Sequence, residues 1–295
     1  MAGRFKTIIT ILILILVVSY LASKLISEVD FQDKIAVIKI DGQIGVSSKF
    51  LGDSGINPDT ILNFIKKAKE DSSIKGVLIE INSPGGSVVG SKDIADAVKG
   101  IDKPKVAFIR DIGASGAYWV ASSADAIVSD PMSVTGSIGV LGSYLEFSGL
   151  LEKYGVEYES ITAGKYKDLG SPYKDLTSEE RAILQNKLNK IYDYFVTEIA
   201  NNRKLSKEKV LEIANGYIYL GTEAKEIGLV DYLGNKDLAI NITKQMANIT
   251  EAKIIEYKEE KTLLDLLSRI SSNAFYNIGK GIGSVVVNNG INIRV

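Results

Sequence analysis

The chain has 295 residues, 45% hydrophobic and 24% charged, a composition that excludes disorder throughout. Lys and Arg number 35 against 36 Asp and Glu, so no global basic field exists to hold nucleic acid, and that partner class is excluded. The chain contains no His and no Cys, which removes a Ser-His-Asp triad, a thiol nucleophile, disulfides and His- or Cys-ligated metals, and leaves acid–base work at neutral pH to Lys, Asp, Glu or Tyr.

In chain order, Thr7 to Ser23 carries no charge, with Arg4 and Lys6 before it and Lys24 after it. With Leu25 and Ile26 as its end, it is long enough to cross about 30 Å of hydrocarbon as a helix. A cleaved leader has a shorter apolar region, and a buried core helix has an amphipathic stripe, so a retained anchor is the expectation. Arg4 and Lys6 place the N-terminus in the cytoplasm and the rest of the chain outside it, as a single-pass protein of the cell membrane. Residues 1–30 are thus read as anchor, 31–260 as one domain, and 261–295 as an extension of no assigned role.

The domain alternates strand and helix signals. Lys34–Ile40, Gly76–Ile81, Lys105–Ile109, Ala126–Val128 and Val156–Ile161 read as strands, and Ala252–Tyr257 as a late one. Pro58–Asp71 and Asp93–Lys99 read as helices between them, which predicts an α/β fold built from βαβ units. From Thr177 the pattern turns helical. Thr177 and Glu180 fit a capping box ahead of a stripe of Leu184, Leu188, Ile191, Tyr192, Phe195 and Ile199. Ser206–Asn215 reads as a second helix, stopped at Gly216.

Three segments carry residues suited to chemistry. Asn82–Ser87, between a strand and a helix, is either an ordinary Gly-Pro turn or an oxyanion hole in which Gly85 and Gly86 bring backbone N–H groups close to a carbonyl. Ser115, in Asp111–Trp119, is either a helix N-cap or a nucleophile with the N–H of Gly116 beside it, and Trp119 reads as core. Gly164–Gly170 carries Lys165 and Lys167, which read as surface charges unless one is a base. A lysine at its ordinary pKa of about 10.4 is neutral at pH 7 in only about one molecule in a few thousand. A lysine base therefore needs burial, distance from anions and a neutral hydroxyl partner, for which Ser133, Thr135 and Ser137 are candidates.

The motifs N-S-P-G-G-S, G-A-S-G-A-Y, T-G-S-I-G-V and G-K-Y-K-D-L-G-S-P, in this order, resemble the S49 serine peptidase family of signal peptide peptidases. Gly216-x-x-Tyr-x-Gly-x-x-Ala224 and Leu229-Val-Asp-x-Leu-Gly234 agree, and the resemblance spans roughly residues 34–240. It implies a ClpP/crotonase-like α/β fold with a helical C-terminal part, Ser115 as nucleophile, Lys167 as general base, Ser137 as the hydroxyl orienting that base, and Gly86 in the oxyanion hole with Gly116. Lys165 has no counterpart, and Gly116-Ala117-Tyr118 stands where the family often has Gly-Gly-Tyr. The resemblance further implies no cofactor or metal, peptide substrates such as released signal peptides, and, for a chain of this length, a ring-shaped homo-oligomer. The alternatives are an anchored protease of the same superfamily that cuts stomatin-like scaffold proteins, an acyl-CoA enzyme of the crotonase type, and an inactive scaffold.

Overall fold

A computed structural model describes residues 13–20, 32–45, 47–48 and 53–258 of the protein. Most of the predicted membrane anchor and the whole 261–295 extension lie outside these residues. Within the anchor segment, residues 13–20 are helical (α1) with exposed apolar side chains. Among the described residues no helix is long and apolar enough to cross a membrane.

The remaining elements, in order, are β1 (Lys34–Asp41), β2 (Ser47–Ser48), β3 (Asp53–Ser54), α2 (Pro58–Glu70), β4 (Ile74–Ser83), α3 (Val88–Lys99), β5 (Lys105–Ala114) and α4 (Gly116–Ser122). There follow β6 (Ala126–Ser129), β7 (Val134–Gly136), α5 (Ser148–Lys153), α6 (Ser178–Arg203), α7 (Lys207–Ile213), β8 (Ile218–Leu220), α8 (Gly221–Glu226), β9 (Tyr232–Leu233), α9 (Lys236–Met246) and β10 (Lys253–Tyr257). The main sheet runs β10-β1-β4-β5-β6-β9 with every neighbouring pair parallel. Helices α2, α3 and α4 make the crossovers from β1 to β4 to β5 to β6, the βαβ pattern expected of this sequence.

Both faces of the sheet are covered. Ala36, Ile38, Ile79, Ile81 and Ile109 face one apolar cluster with α2, α3, α4 and the second half of α6. Ile35, Val37, Leu78, Val106 and Val128 face another, closed by α9 through Ala239. This explains why β1 is buried from Ile35 through Ile38 even though its sequence alternates apolar and polar at its ends.

β5 changes partner along its length. Its first half pairs with β6 as far as Ile109, and its last residues, Ile112–Ala114, pair with β7, which in turn pairs antiparallel with β8. The C-terminal end of β5 therefore sits between β4 and β7, and the loops after all three converge there.

Val156–Ile161, predicted as a strand, is not one. It has no strand partner, and Val156 and Ile161 are exposed. It belongs to an arm, residues 139–176, that leaves the sheet after β7 and returns at α6. The two halves of the arm meet each other. Phe147 N–H donates to Pro172 O at 2.7 Å, Ser148 Oγ donates to Asp175 at 3.0 Å, and the Tyr158 and Tyr173 rings lie 5.2 Å apart.

Candidate active site

Ser115 occupies the single residue between β5 and α4 with φ 54° and ψ −125°, a left-handed backbone conformation rare for a residue with a side chain. Two hydrogen bonds hold it there: Ser115 N–H donates to Gly136 O at 2.8 Å, and Ser115 O accepts from Trp119 N–H at 3.0 Å. The N-cap reading fails, because the Ser115 hydroxyl makes no capping hydrogen bond. Oγ is left free on a half-buried residue at the mouth of two cavities.

The Asn82–Ser87 turn divides its labour. Gly85 N–H donates to Ser83 Oγ at 3.1 Å, and Ser87 Oγ caps α3 by accepting from Gly90 N–H at 3.3 Å. Gly86 N–H and Gly116 N–H take no hydrogen bond among the described residues. Both glycines of the turn are forced. Gly85 has φ +96°, and a Cβ there would lie 2.7 Å from Gly116 N and 3.0 Å from Ser115 Cβ. A Cβ on Gly86 would lie 2.0 Å from Ile44 O. The turn is packed onto the backbone that presents Ser115, and two free N–H groups flank the hydroxyl, an arrangement able to hold an oxyanion.

Of the three candidate hydroxyls for a base, two are taken. Ser133 Oγ donates to Ile109 O at 3.1 Å, and Thr135 Oγ1 donates to Gly113 O at 2.7 Å, both stitching β7 to β5. Ser137, at φ 50° with its N–H donating to Tyr217 O at 2.8 Å, shares a cavity of about 620 Å³ with Ser115, Tyr192 and Asn215. A second cavity of about 280 Å³ on the other side of Ser115 is lined by Gly86, Gly116, Trp119, Ile191 and Phe195. Val140 and Leu141 border both.

Sequence reading missed part of this lining. Ile191 and Phe195 follow the helical stripe of α6 and read as core, and Trp119 does stack on Phe195 with ring centroids 4.8 Å apart. The same aromatic layer also walls the smaller cavity, a double role that periodicity does not signal. Val140 ends the T-G-S-I-G-V motif without a role of its own, and Leu141 gave no signal.

Lys167 is not at this site within the chain. It lies on the exposed outer loop of the arm and lines neither cavity. Its side chain has no hydrogen bond or ion pair among the described residues. Lys165 is also exposed but is bound, with Nζ 2.8 Å from Glu179 Oε1. The structure thus brings together Ser115, Gly86, Gly116 and Ser137, and keeps Lys167 apart from them. Among the described residues no group of His, Cys, Asp and Glu is placed to hold a metal.

Peptidase family S49 matches residues 97–250, just over half of the chain. The chain belongs to this family. A Methanocaldococcus jannaschii protein provisionally named a protease is 42% identical over 229 residues, covering 76% of this chain and 72% of that one. An Enterococcus faecium protein provisionally named signal peptide peptidase SppA is 37% identical over 235 residues, covering 78% of this chain and 68% of its own. Protease 4 of Haemophilus influenzae is 33% identical over 221 residues, 73% of this chain but 35% of that longer protein. The parallel sheet with its βαβ crossovers fits the fold expected of an S49 peptidase. The S49 assignment makes the protein a peptidase of the signal peptide peptidase type and excludes the acyl-CoA reading.

Proposed function

We propose that this S49 peptidase is a membrane-anchored serine endopeptidase with a Ser115–Lys167 dyad, in which a second copy of the chain supplies the lysine. The observation that carries the reading is the free hydroxyl of Ser115 in a strained strand-to-helix turn, flanked by the unpaired N–H groups of Gly86 and Gly116. Neutral Lys167 takes the Ser115 proton as Oγ forms a bond to the peptide carbonyl carbon, and the two N–H groups hold the oxyanion. Collapse breaks the C–N bond, and the ammonium of Lys167 passes its proton to the leaving amine. A water then attacks the acyl carbon as Lys167 takes one of its protons. Collapse breaks the bond to Ser115 Oγ, which receives that proton back from Lys167, releasing the acid and restoring the serine hydroxyl and the neutral amine. Ser137, the one candidate hydroxyl left beside Ser115, orients the amine.

The exposed position of Lys167 supports sharing of the dyad. So does the arm, where Leu141, Leu145, Leu150, Tyr154, Val156 and Ile161 are all exposed, Ile161 at 94%. Such apolar surface is suited to cover by a neighbour, and a head-to-tail contact of this kind repeats until a ring closes. The substrates we assign are signal peptides released in the membrane, on the strength of relatives bearing that name, with the uncharged segment from Thr7 to Ser23 as the anchor and the peptidase domain outside the cytoplasm.

The test is cleavage of synthetic signal peptides by the full chain in detergent, with products mapped by mass spectrometry. Wild type is expected to cut them and Ser115→Ala to leave them intact. Wild-type turnover by purified Ser115→Ala would overturn the assignment.

A further inference from the structure

The loop that carries Lys167 is tied on both sides to the first turn of α6. On one side, Lys165 Nζ and Tyr166 Oη both donate to Glu179 Oε1, at 2.8 and 2.6 Å. On the other, Lys174 Nζ bridges Asp168 Oδ1 at 3.1 Å and Glu180 Oε1 at 2.8 Å. Glu180 is buried, and its second oxygen accepts from Thr177 N–H at 2.9 Å and Thr177 Oγ1 at 3.1 Å, closing the capping box of α6. The second oxygen of Asp168 accepts from Ser160 Oγ at 3.2 Å. Lys167 N–H donates to Gly164 O at 3.1 Å, but its side chain has no such contact among the described residues.

The titratable groups of the segments that flank Lys167 are Lys165, Tyr166 and Asp168 on its own loop, Lys174 and Asp175 on the turn that follows, Glu179, Glu180 and Arg181 on α6, and Glu157 and Glu159 on the segment before the loop. Asp175 takes the Ser148 hydroxyl. The anion bonded next in the chain to Lys167 is Asp168. A carboxylate beside an amine holds it as the ammonium, and an ammonium is no base.

We propose that Lys174 is a positioning residue that keeps Lys167 free: it draws Asp168 to itself and to Glu180, as Lys165 draws Glu179, so that no carboxylate of the loop or of the first turn of α6 pairs with Lys167. Electrostatics agree with this geometry. Hydrogen bonding to Lys174 is the main cause that lowers Asp168 and brings Glu180 down to about 2, and these two carboxylates in turn raise Lys174. Glu180 keeps two hydrogen bonds from Thr177, whereas Asp168 keeps one from the exposed Ser160, so Asp168 is the group that loss of Lys174 sets loose. The inference rests on the reading of Lys167 as general base.

The experiment is kcat/KM against pH for the full chain in detergent, with a fluorogenic peptide that wild type cleaves. Lys174→Gln is expected to move the acidic limb up by about one pH unit, the effect of one adjacent opposite charge. Lys174→Arg keeps the wild-type midpoint, and Lys174→Gln with Asp168→Asn returns to it. Lys174→Met, which keeps the aliphatic stem, gives the same shift and serves if the Gln variant does not fold. A lower rate with an unmoved midpoint in Lys174→Gln or Lys174→Met overturns the inference, as does a shift that persists in the double variant. Lys167→Arg separates this from failure of the underlying reading: wild-type activity there removes the base itself, whereas an inactive Lys167→Arg with an unmoved Lys174→Gln midpoint removes the role of Lys174 alone.

Discussion

Ser115 combines two costs in one residue. Its backbone sits where a side chain is strained by roughly 1–3 kcal/mol, and its hydroxyl forgoes the cap that a serine at a helix start usually makes. Fold stability favours neither. Ser115→Gly is therefore expected to be inactive yet more stable than wild type by about 1 kcal/mol, because glycine adopts this φ without strain. Urea unfolding checks the stability, and a destabilised glycine variant would contradict the strain. Lys167→Arg should lose activity by at least about a thousand-fold, since a guanidinium cannot give up its proton near neutral pH. Lys165→Ala should stay near wild type, because Tyr166 Oη still holds Glu179 Oε1 at 2.6 Å and keeps that carboxylate from Lys167. Gly85→Ala should cost about 2 kcal/mol or more along with activity, as its Cβ would meet Gly116 N, Ala114 O and Ser115 Cβ together. A fully active Gly85→Ala would mean that the turn does not hold Ser115 in place.

Elements explain why the site stands where it does. Two adjacent parallel strands, β4 and β5, end at the same level, and each continues through a tight turn into a helix. One turn supplies Gly86 and the other Ser115 with Gly116. The N-terminus of α6 matters as much for the arm. Glu180 is held near pKa 2 by Lys174 and Thr177, below its ordinary value, so its contribution to stability is present above about pH 4.5 and is lost as pH falls toward 2. The urea midpoint should therefore drop across that window in wild type and drop less in Glu180→Gln. Equal slopes would contradict this. The sequence made much of this level readable. Apolar runs between helical stripes gave the βαβ units, and Thr177 with Glu180 gave the start of α6, because these signals are local. Val156–Ile161 misled, since alternation says which residues suit a strand and nothing about whether a partner strand exists. β7, β9 and α8 are too short to stand out, whereas α9 went unread although its Asn235 cap and apolar face were present in the sequence. Small residues around Ser115 marked it as a candidate, but the residues alone left Gly86 in a turn of two readings and Ser133, Thr135 and Ser137 as equals. The ordered motifs singled out Gly86 and Ser137, and the pairing of β7 with β5 accounts for the other two hydroxyls.

At the scale of the whole molecule the account turns on Lys167, which the motif order names as base and the fold sets on an exposed arm away from Ser115. Stability of the domain body is a separate matter. Arg203, nearly buried at the end of α6, is clamped by Asp231 at 2.6 and 3.0 Å and by Gly228 O. Asp231→Ala should cost about 2–3 kcal/mol in urea unfolding, with the arm and its chemistry untouched. Assembly should instead decide activity, and the apolar arm should make activity fall on dilution if the assembly dissociates. The most direct test mixes two inactive proteins. Ser115→Ala keeps the lysine and Lys167→Ala keeps the serine, so when equal amounts are unfolded and reassembled together, random mixing leaves about a quarter of shared sites intact. The account predicts peptide cleavage recovered to about that fraction of wild type. Background activity in assemblies verified to contain both chains would contradict a dyad shared between copies.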